Sequence, residues 1–315
     1  MKLFRALCIV PLVVGCGVDW KPHATTVDTL PDLTIPPAPE PGKGFQVITP
    51  IFDNVEPSMD YEVCTWTDVI ADHDLDVRST LSYQDEPPGH HVILYYTTVR
   101  QPAGTQRVCN DSDMATFRFL AGAGGEGLPN MAPGNLIYRV PAGAQIVVNH
   151  HYLNSTDTVL RGQSAVNVYY ADPGNWIPSG NMAAVDTSIL LPQGPSSWDI
   201  HCVLQNTMKF WYLIPHMHQW GTHISVNVTQ AGTKNTVFDL PWDPSYAFHP
   251  PEMRLDPSTP MIVNPGDAID VHCDWNNTSG RTLSFGFEMC VAFGETVDDA
   301  GLGNIACDAG GWGQF

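Results

Sequence analysis

The chain has 315 residues, 43% of them hydrophobic and only 15% charged, with a formal charge of −19. That length holds one large or two medium domains. The acidity argues against nucleic acid and anionic lipid as partners, since both need basic patches.

The first 16 residues, MKLFRALCIVPLVVGC, pair the basic Lys2 and Arg5 with an apolar stretch from Ala6 to Val14. This is the pattern of an export signal, and the stretch is too short for a stable transmembrane helix. Its end, Val13-Val14-Gly15-Cys16, resembles a bacterial lipoprotein lipobox. Residues 1–15 are therefore predicted to be a lipoprotein signal peptide and Cys16 the lipidated residue. The expectation is an exported protein held at a membrane only through its N-terminal lipid. Gly17 at the next position favours the outer membrane or cell surface. Removing the signal takes away two basic residues and no acid, so the mature chain is more acidic still.

Residues 16–43 contain Pro22, Pro31, Pro36, Pro37, Pro39 and Pro41 and few large apolar groups. They read as a semi-extended tether. From Gly44 onward, short runs rich in Val, Ile, Tyr and Phe alternate with Gly, Pro, Asn and Asp. FQVITPIF, HHVILYYTTV, NLIYRV, AQIVVNHHYL, SAVNVYYA, KFWYLIPHMH, HISVNVTQ, AIDVHC and LSFGFEMCVAF all read as strands. No long helical period is visible, so the fold class is all-β, of the sandwich type. ADPGNWIPSGN interrupts the pattern and places a boundary near residues 172–185. The expected domains are an N-terminal β-sandwich over 44–180 and a C-terminal one over 181–315, each of a usual domain size.

Eight cysteines occur, two of them, Cys8 and Cys16, in the export segment. Cys64, Cys109, Cys202, Cys273, Cys290 and Cys307 remain. An even number in an exported chain implies disulfides, and six cysteines allow fifteen complete pairings. There is no Cys-x-x-Cys, which argues against a zinc ribbon or a thioredoxin-like site.

Three histidine clusters and one Met-Cys pair carry the chemical signal. They are His90-His91, His150-His151, His216-Met217-His218 and Met289-Cys290. Imidazole suits copper, zinc, iron or nickel, and an added thioether shifts the choice toward copper, Cu(I) especially. In a strand, His216 and His218 share one face and Met217 takes the other. His90 and His91 are adjacent, so a regular strand would point them to opposite faces. They can serve one metal only if the strand start is distorted, and Pro87-Pro88-Gly89 favours that. His150 and His151 also point to opposite faces. If Val148 faces the core, His151 is the one that meets a cleft. His23, His73, His201, His223, His249 and His272 show no ligand spacing.

These motifs, in this order, resemble the copper type II ascorbate-dependent monooxygenases, the group of dopamine β-hydroxylase and peptidylglycine α-hydroxylating monooxygenase. The residues are His90-His91, His151-Tyr152, His216-Met217-His218 and Glu288-Met289-Cys290, and the likeness spans roughly residues 44–307. It implies two tandem jelly-roll-type sandwiches, each carrying one copper. The first would be held by His90, His91 and His151, the second by His216, His218 and Met289. It also implies three disulfides: Cys64 with Cys109, Cys202 with Cys307, and Cys273 with Cys290. The chemistry implied is hydroxylation of a C–H bond with O₂, driven by ascorbate or another one-electron donor. Soft Met289 would favour Cu(I) at the second site, where O₂ is met. No catalytic residue beyond the metal ligands is implied.

The chain departs from the amidating branch of that family. An Arg that holds the peptide carboxylate is replaced by Ile214, and an Asn and a Tyr by Val291 and Phe293. Apolar groups cannot offset the desolvation of a carboxylate. These three residues therefore point to a small, weakly polar substrate. Two other readings use the same residues: a copper-buffering surface lipoprotein without catalysis, and an adhesion or glycan-binding sandwich with incidental histidines.

Overall fold

The computed structural model describes residues 33–314 apart from 58, 86–88, 115, 125 and 248; at 60, 61, 90, 111, 123, 124 and 126–129 it describes the backbone only. The export segment, Cys16, the first half of the tether, Pro87-Pro88 and the side chain of His90 lie outside the described residues. Strands make up 58% of the chain and helix 3%, which makes the fold all-β.

The N-terminal sandwich packs a five-stranded sheet against one half of a 12-stranded sheet. The five-stranded sheet runs, edge to edge, Gln106–Val108, Asp60–Ile70, Gln145–Leu153, Gly89–Thr97 and Arg118–Gly124. Period-two alternation sends Ile146 and Val148, Val92 and Leu94 to the interior. They meet Val77, Val166, Val168 and Tyr138 from the facing sheet. The central Gln145–Leu153 strand is buried on both faces from Gln145 to Tyr152. Its second face is covered by Trp66, Phe117 and the Cys64–Cys109 disulfide.

The C-terminal sandwich packs the other half of the long sheet against a four-stranded sheet. The four strands are Gly194–Val203, Ala268–Asn277, Gly221–Gln230 and Thr233–Pro241. Its core sets Met182, Ala184, Leu213 and Ala292 against Ile200, Ile224, Val226, Ile269 and Val271. The Cys202–Cys307 and Cys273–Cys290 disulfides lie inside it. The three bonds are the three that the family resemblance implies.

The two sandwiches share a sheet. Ile177–Val185, where the sequence pattern places the boundary, is a strand. It pairs in parallel with Leu136 and Ile137 on one side and antiparallel with Val291–Val297 on the other. The strand Met208–His216 serves both cores. Phe210 and Leu213 face the C-terminal core, while a bulge between Phe210 and Tyr212 leaves Trp211 and Tyr212 against the N-terminal one. Polar contacts reinforce the joint. Trp211 Nε1 donates to Ser179 Oγ at 3.1 Å, and Tyr138 Oη donates to Glu295 at 3.1 Å. The side-chain amides of Asn181 and Asn304 both donate to the Phe119 carbonyl at 3.3 Å.

The end of the expected tether is docked. Gln46 donates to the Pro36 carbonyl and Asn167 to the Pro37 carbonyl, each at 2.8 Å. Proline carbonyls remain good acceptors although the residue cannot donate, so this segment can lie along a sheet edge without pairing into it.

Candidate metal centres

The first histidine set is built by strand register. Gln145–Leu153 pairs with Gly89–Thr97 so that His151 stands opposite His91, and the next pair is Tyr152 opposite Gly89. His90 is thus the extra residue of a β-bulge. A bulge breaks strict alternation and re-aims side chains, which is the distortion the adjacent His90 and His91 require. Gly89 contributes by its lack of a side chain rather than by an unusual φ. A Cβ there would lie 2.3 Å from the Asp85 carbonyl and 2.5 Å from Gln84 Cγ.

The His91 and His151 rings sit edge to face, with centroids 4.7 Å apart and Nδ1 atoms 3.4 Å apart. Two nitrogens about 2.0 Å from one ion, at tetrahedral or trigonal angles, stand about 3.3–3.5 Å apart. The spacing therefore fits shared coordination through Nδ1.

His150 has a different environment. It is fully buried; Nε2 meets Thr65 Oγ1 at 2.9 Å, and Nδ1 meets Ser164 Oγ at 2.8 Å and the Tyr152 hydroxyl at 3.2 Å. Burial pushes its pKa down to about 3, so it is neutral at physiological pH. With both nitrogens engaged, it is a core group.

The second set forms where Met208–His216 ends. Met217 is fully buried in the C-terminal core, while His216 and His218 on the other side are partly exposed. Their rings are perpendicular, with centroids 4.9 Å apart. His218 Nδ1 lies 3.3 Å from the Phe287 carbonyl. Donation there leaves the Nε2 lone pair for a metal, the arrangement common among histidine ligands. Burial, then the neighbouring charges of His218 and His91, push His216 down to about 3.

Glu288 organises this set and was not assigned a role from sequence. It is fully buried. Its carboxylate accepts the backbone N–H of His218, that of Trp220 at 2.9 Å and that of Met289 at 3.1 Å. One buried anion thereby ties the His216–His218 turn to Met289, and the Cys273–Cys290 disulfide anchors the next residue. A lone carboxylate in the apolar run FGFEMCVAF was the available signal, because a buried charge must have partners. Trp242 Nε1 donates to the His218 carbonyl at 2.9 Å. Gly221 allows that approach, since a Cβ there would lie 2.7 Å from Trp242 and 3.0 Å from Met217.

Beside His216 the long sheet presents an apolar floor. Ile214 is opposite Phe293, His216 is opposite Val291, and Phe293 and Val291 are opposite Ala183 and Val185. Ala183, Val185, Phe285, Met289, Val291, Phe293 and Ala306 form one cluster, and the Phe293 ring lies 5.7 Å from that of His216. Of the three residues expected to line a pocket, Ile214 and Phe293 are partly exposed near the second histidine set, whereas Val291 is fully buried and packs with Met289 instead. Among the described residues, no three His, Cys, Asp or Glu groups converge on one point as a ready cation site. Neither set requires that: one includes His90, the other a methionine.

The sequence matches no family model and no curated protein. Among solved structures, the fold is similar to a peptide-N(4)-(N-acetyl-β-D-glucosaminyl) asparagine amidase, at 11% identity over 80% of this chain and 96% of that one, with a TM-score of 0.38. It is also similar to infectious bursal disease virus, Gx strain, at 11% identity, 84% and 75% coverage and a TM-score of 0.21. Sulfolobus turreted icosahedral virus follows at 10% identity, 81% and 61% coverage and a TM-score of 0.21. Scores this low speak to no shared chemistry.

Proposed function

We propose that this protein is an exported copper-dependent monooxygenase that hydroxylates a C–H bond of a small, weakly polar molecule, using O₂ and a one-electron donor such as ascorbate. The observation that carries the reading is the Glu288 clamp, which holds Met289 to the turn bearing His216 and His218. Nitrogen and thioether donors together suit copper. His90, His91 and His151 would hold one copper, and His216, His218 and Met289 a second. Copper so bound would supply one-electron redox chemistry and the activation of O₂.

The chain's own residues account for the rest. His218 is held in one tautomer by the Phe287 carbonyl. Phe293 and Ile214 are the partly exposed apolar residues beside the second set, with Val291 packed beneath them, and would orient a weakly polar substrate and exclude water from it. The three disulfides support an oxidising, extracytoplasmic location, with attachment through Cys16. The test is O₂ uptake by copper-loaded protein with ascorbate across a panel of small apolar substrates. Donor-dependent uptake coupled to hydroxylated product, lost in Met289→Ala, supports the reading. Tight copper binding without substrate-dependent uptake would favour a copper-buffering role.

A further inference from the structure

A second histidine array lies on the outer face of the C-terminal four-stranded sheet, and the copper reading leaves it unused. Strand pairing sets Asp199 opposite His272, His223 opposite Asp274, and Ser225 opposite both His272 and Asp239. Alternation then brings these His and Asp side chains to one face.

Their hydrogen bonds have a consistent sense. His223 Nε2 donates to Asp239 at 2.8 Å, and His272 Nδ1 donates to Asp199 at 2.7 Å. The other ring nitrogens both turn to Asp274, which lies between them. His272 Nε2 is 3.3 Å from one carboxylate oxygen, and His223 Nδ1 is 3.7 Å from the other. His223 Nδ1 is shut off from water and makes no hydrogen bond in the structure. His223 Nδ1 is thus left without a partner beside the Asp274 carboxylate, with His272 Nε2 on the other side of that carboxylate; the three groups flank one gap without yet converging on a point, and a cation drawn into it would satisfy the orphaned nitrogen.

We propose that His223, His272 and Asp274 form a separate surface site for a divalent transition-metal ion, zinc being the simplest occupant. The two imidazoles come from neighbouring strands, and each has its distal nitrogen held by a carboxylate, Asp239 or Asp199. That second layer is the one that orients histidine ligands and raises their basicity. Imidazole with carboxylate suits Zn²⁺, Cu²⁺ or Ni²⁺, whereas Ca²⁺ and Mg²⁺ take oxygen donors. The ring centroids are 6.4 Å apart, and binding requires the rings to swing toward each other. Ligands from two strands and supporting carboxylates from the other two make the ion a staple across the sheet.

Calorimetric titration of metal-stripped full-length chain with Zn²⁺ tests this. The expected result is that both His223→Gln/His272→Gln and Asp274→Asn lose one Zn²⁺ equivalent and the melting shift it produces. Asp199→Asn should bind that equivalent roughly 10–100-fold more weakly. His216→Ala/His218→Ala should retain it, which separates this site from the copper reading. Unchanged Zn²⁺ stoichiometry in either His223→Gln/His272→Gln or Asp274→Asn overturns the proposal.

Discussion

The buried carboxylate of Glu288 accepts the backbone N–H of His218, and the same oxygen accepts that of Met289 at 3.1 Å. Two candidate ligands that are 71 positions apart in the chain are thereby held by one atom. Hydrogen bonds to a charged acceptor contribute about 1.5–3 kcal/mol each, and leaving buried donors unsatisfied costs about 1–3 kcal/mol. Glu288→Ala is expected to destabilise the fold by about 3 kcal/mol or more and to lose one copper. Urea denaturation and metal analysis check this, and a variant that keeps both stability and two coppers contradicts the role.

His150 and His151 should give different results although they are neighbours. His150 is fully buried with both nitrogens bonded to Thr65, Ser164 and Tyr152. His150→Ala is expected to cost about 2–4 kcal/mol, through the cavity and the unpaired hydroxyls. His151 is also buried, at 8% exposure, so His151→Ala should destabilise as well, by about 1–3 kcal/mol, but it alone should remove one copper. Melting and copper content measured on both variants decide the matter; the reverse pattern would assign the ligand role to His150.

The strand content and the all-β class were legible because alternation with Val, Ile, Tyr and Phe needs only local sequence. The opposed faces of Met217 and His216–His218 follow from the same parity. The bulge at His90 was anticipated only as a distortion, because register depends on the partner strand. The pairing of His91 with His151, the Glu288 clamp and the His–Asp array all depend on contacts between distant segments. The shared sheet was hidden for a related reason. ADPGNWIPSGN looks like a break, yet Ile177–Val185 can be a strand because its neighbours on both sides complete its hydrogen bonds.

Glu295 gives the joint between the sandwiches a pH dependence. Burial raises its pKa from 4.5 to about 7, opposed by hydrogen bonds from Tyr138 and Ser179 and by the charge of Arg254. A raised carboxyl pKa means that the folded state holds the proton more tightly. Its stabilising contribution is therefore complete below pH 4.5 and lost as pH rises through 7. Glu295→Gln imitates the protonated acid and should stabilise the protein by about 1–3 kcal/mol at pH 8, with little effect at pH 4. Denaturation at both pH values tests this, and equal effects at the two would contradict it.

The Cys273–Cys290 disulfide closes a loop with a sequence separation of 17. In the chain-entropy model a loop of that size is worth about 3 kcal/mol. Cys273→Ala/Cys290→Ala should lose about that much and loosen Met289, seen as a weaker sulfur signal from reduced copper. A stable variant with an unchanged sulfur signal would show that Glu288 alone suffices to place the methionine.

The central claim is two copper sites with different ligand sets. The most direct measurement is copper stoichiometry paired with X-ray absorption of the reduced protein. The account predicts two coppers per chain and a copper–sulfur contribution that disappears in Met289→Ala. One copper or none, or a sulfur signal that survives that substitution, would contradict it.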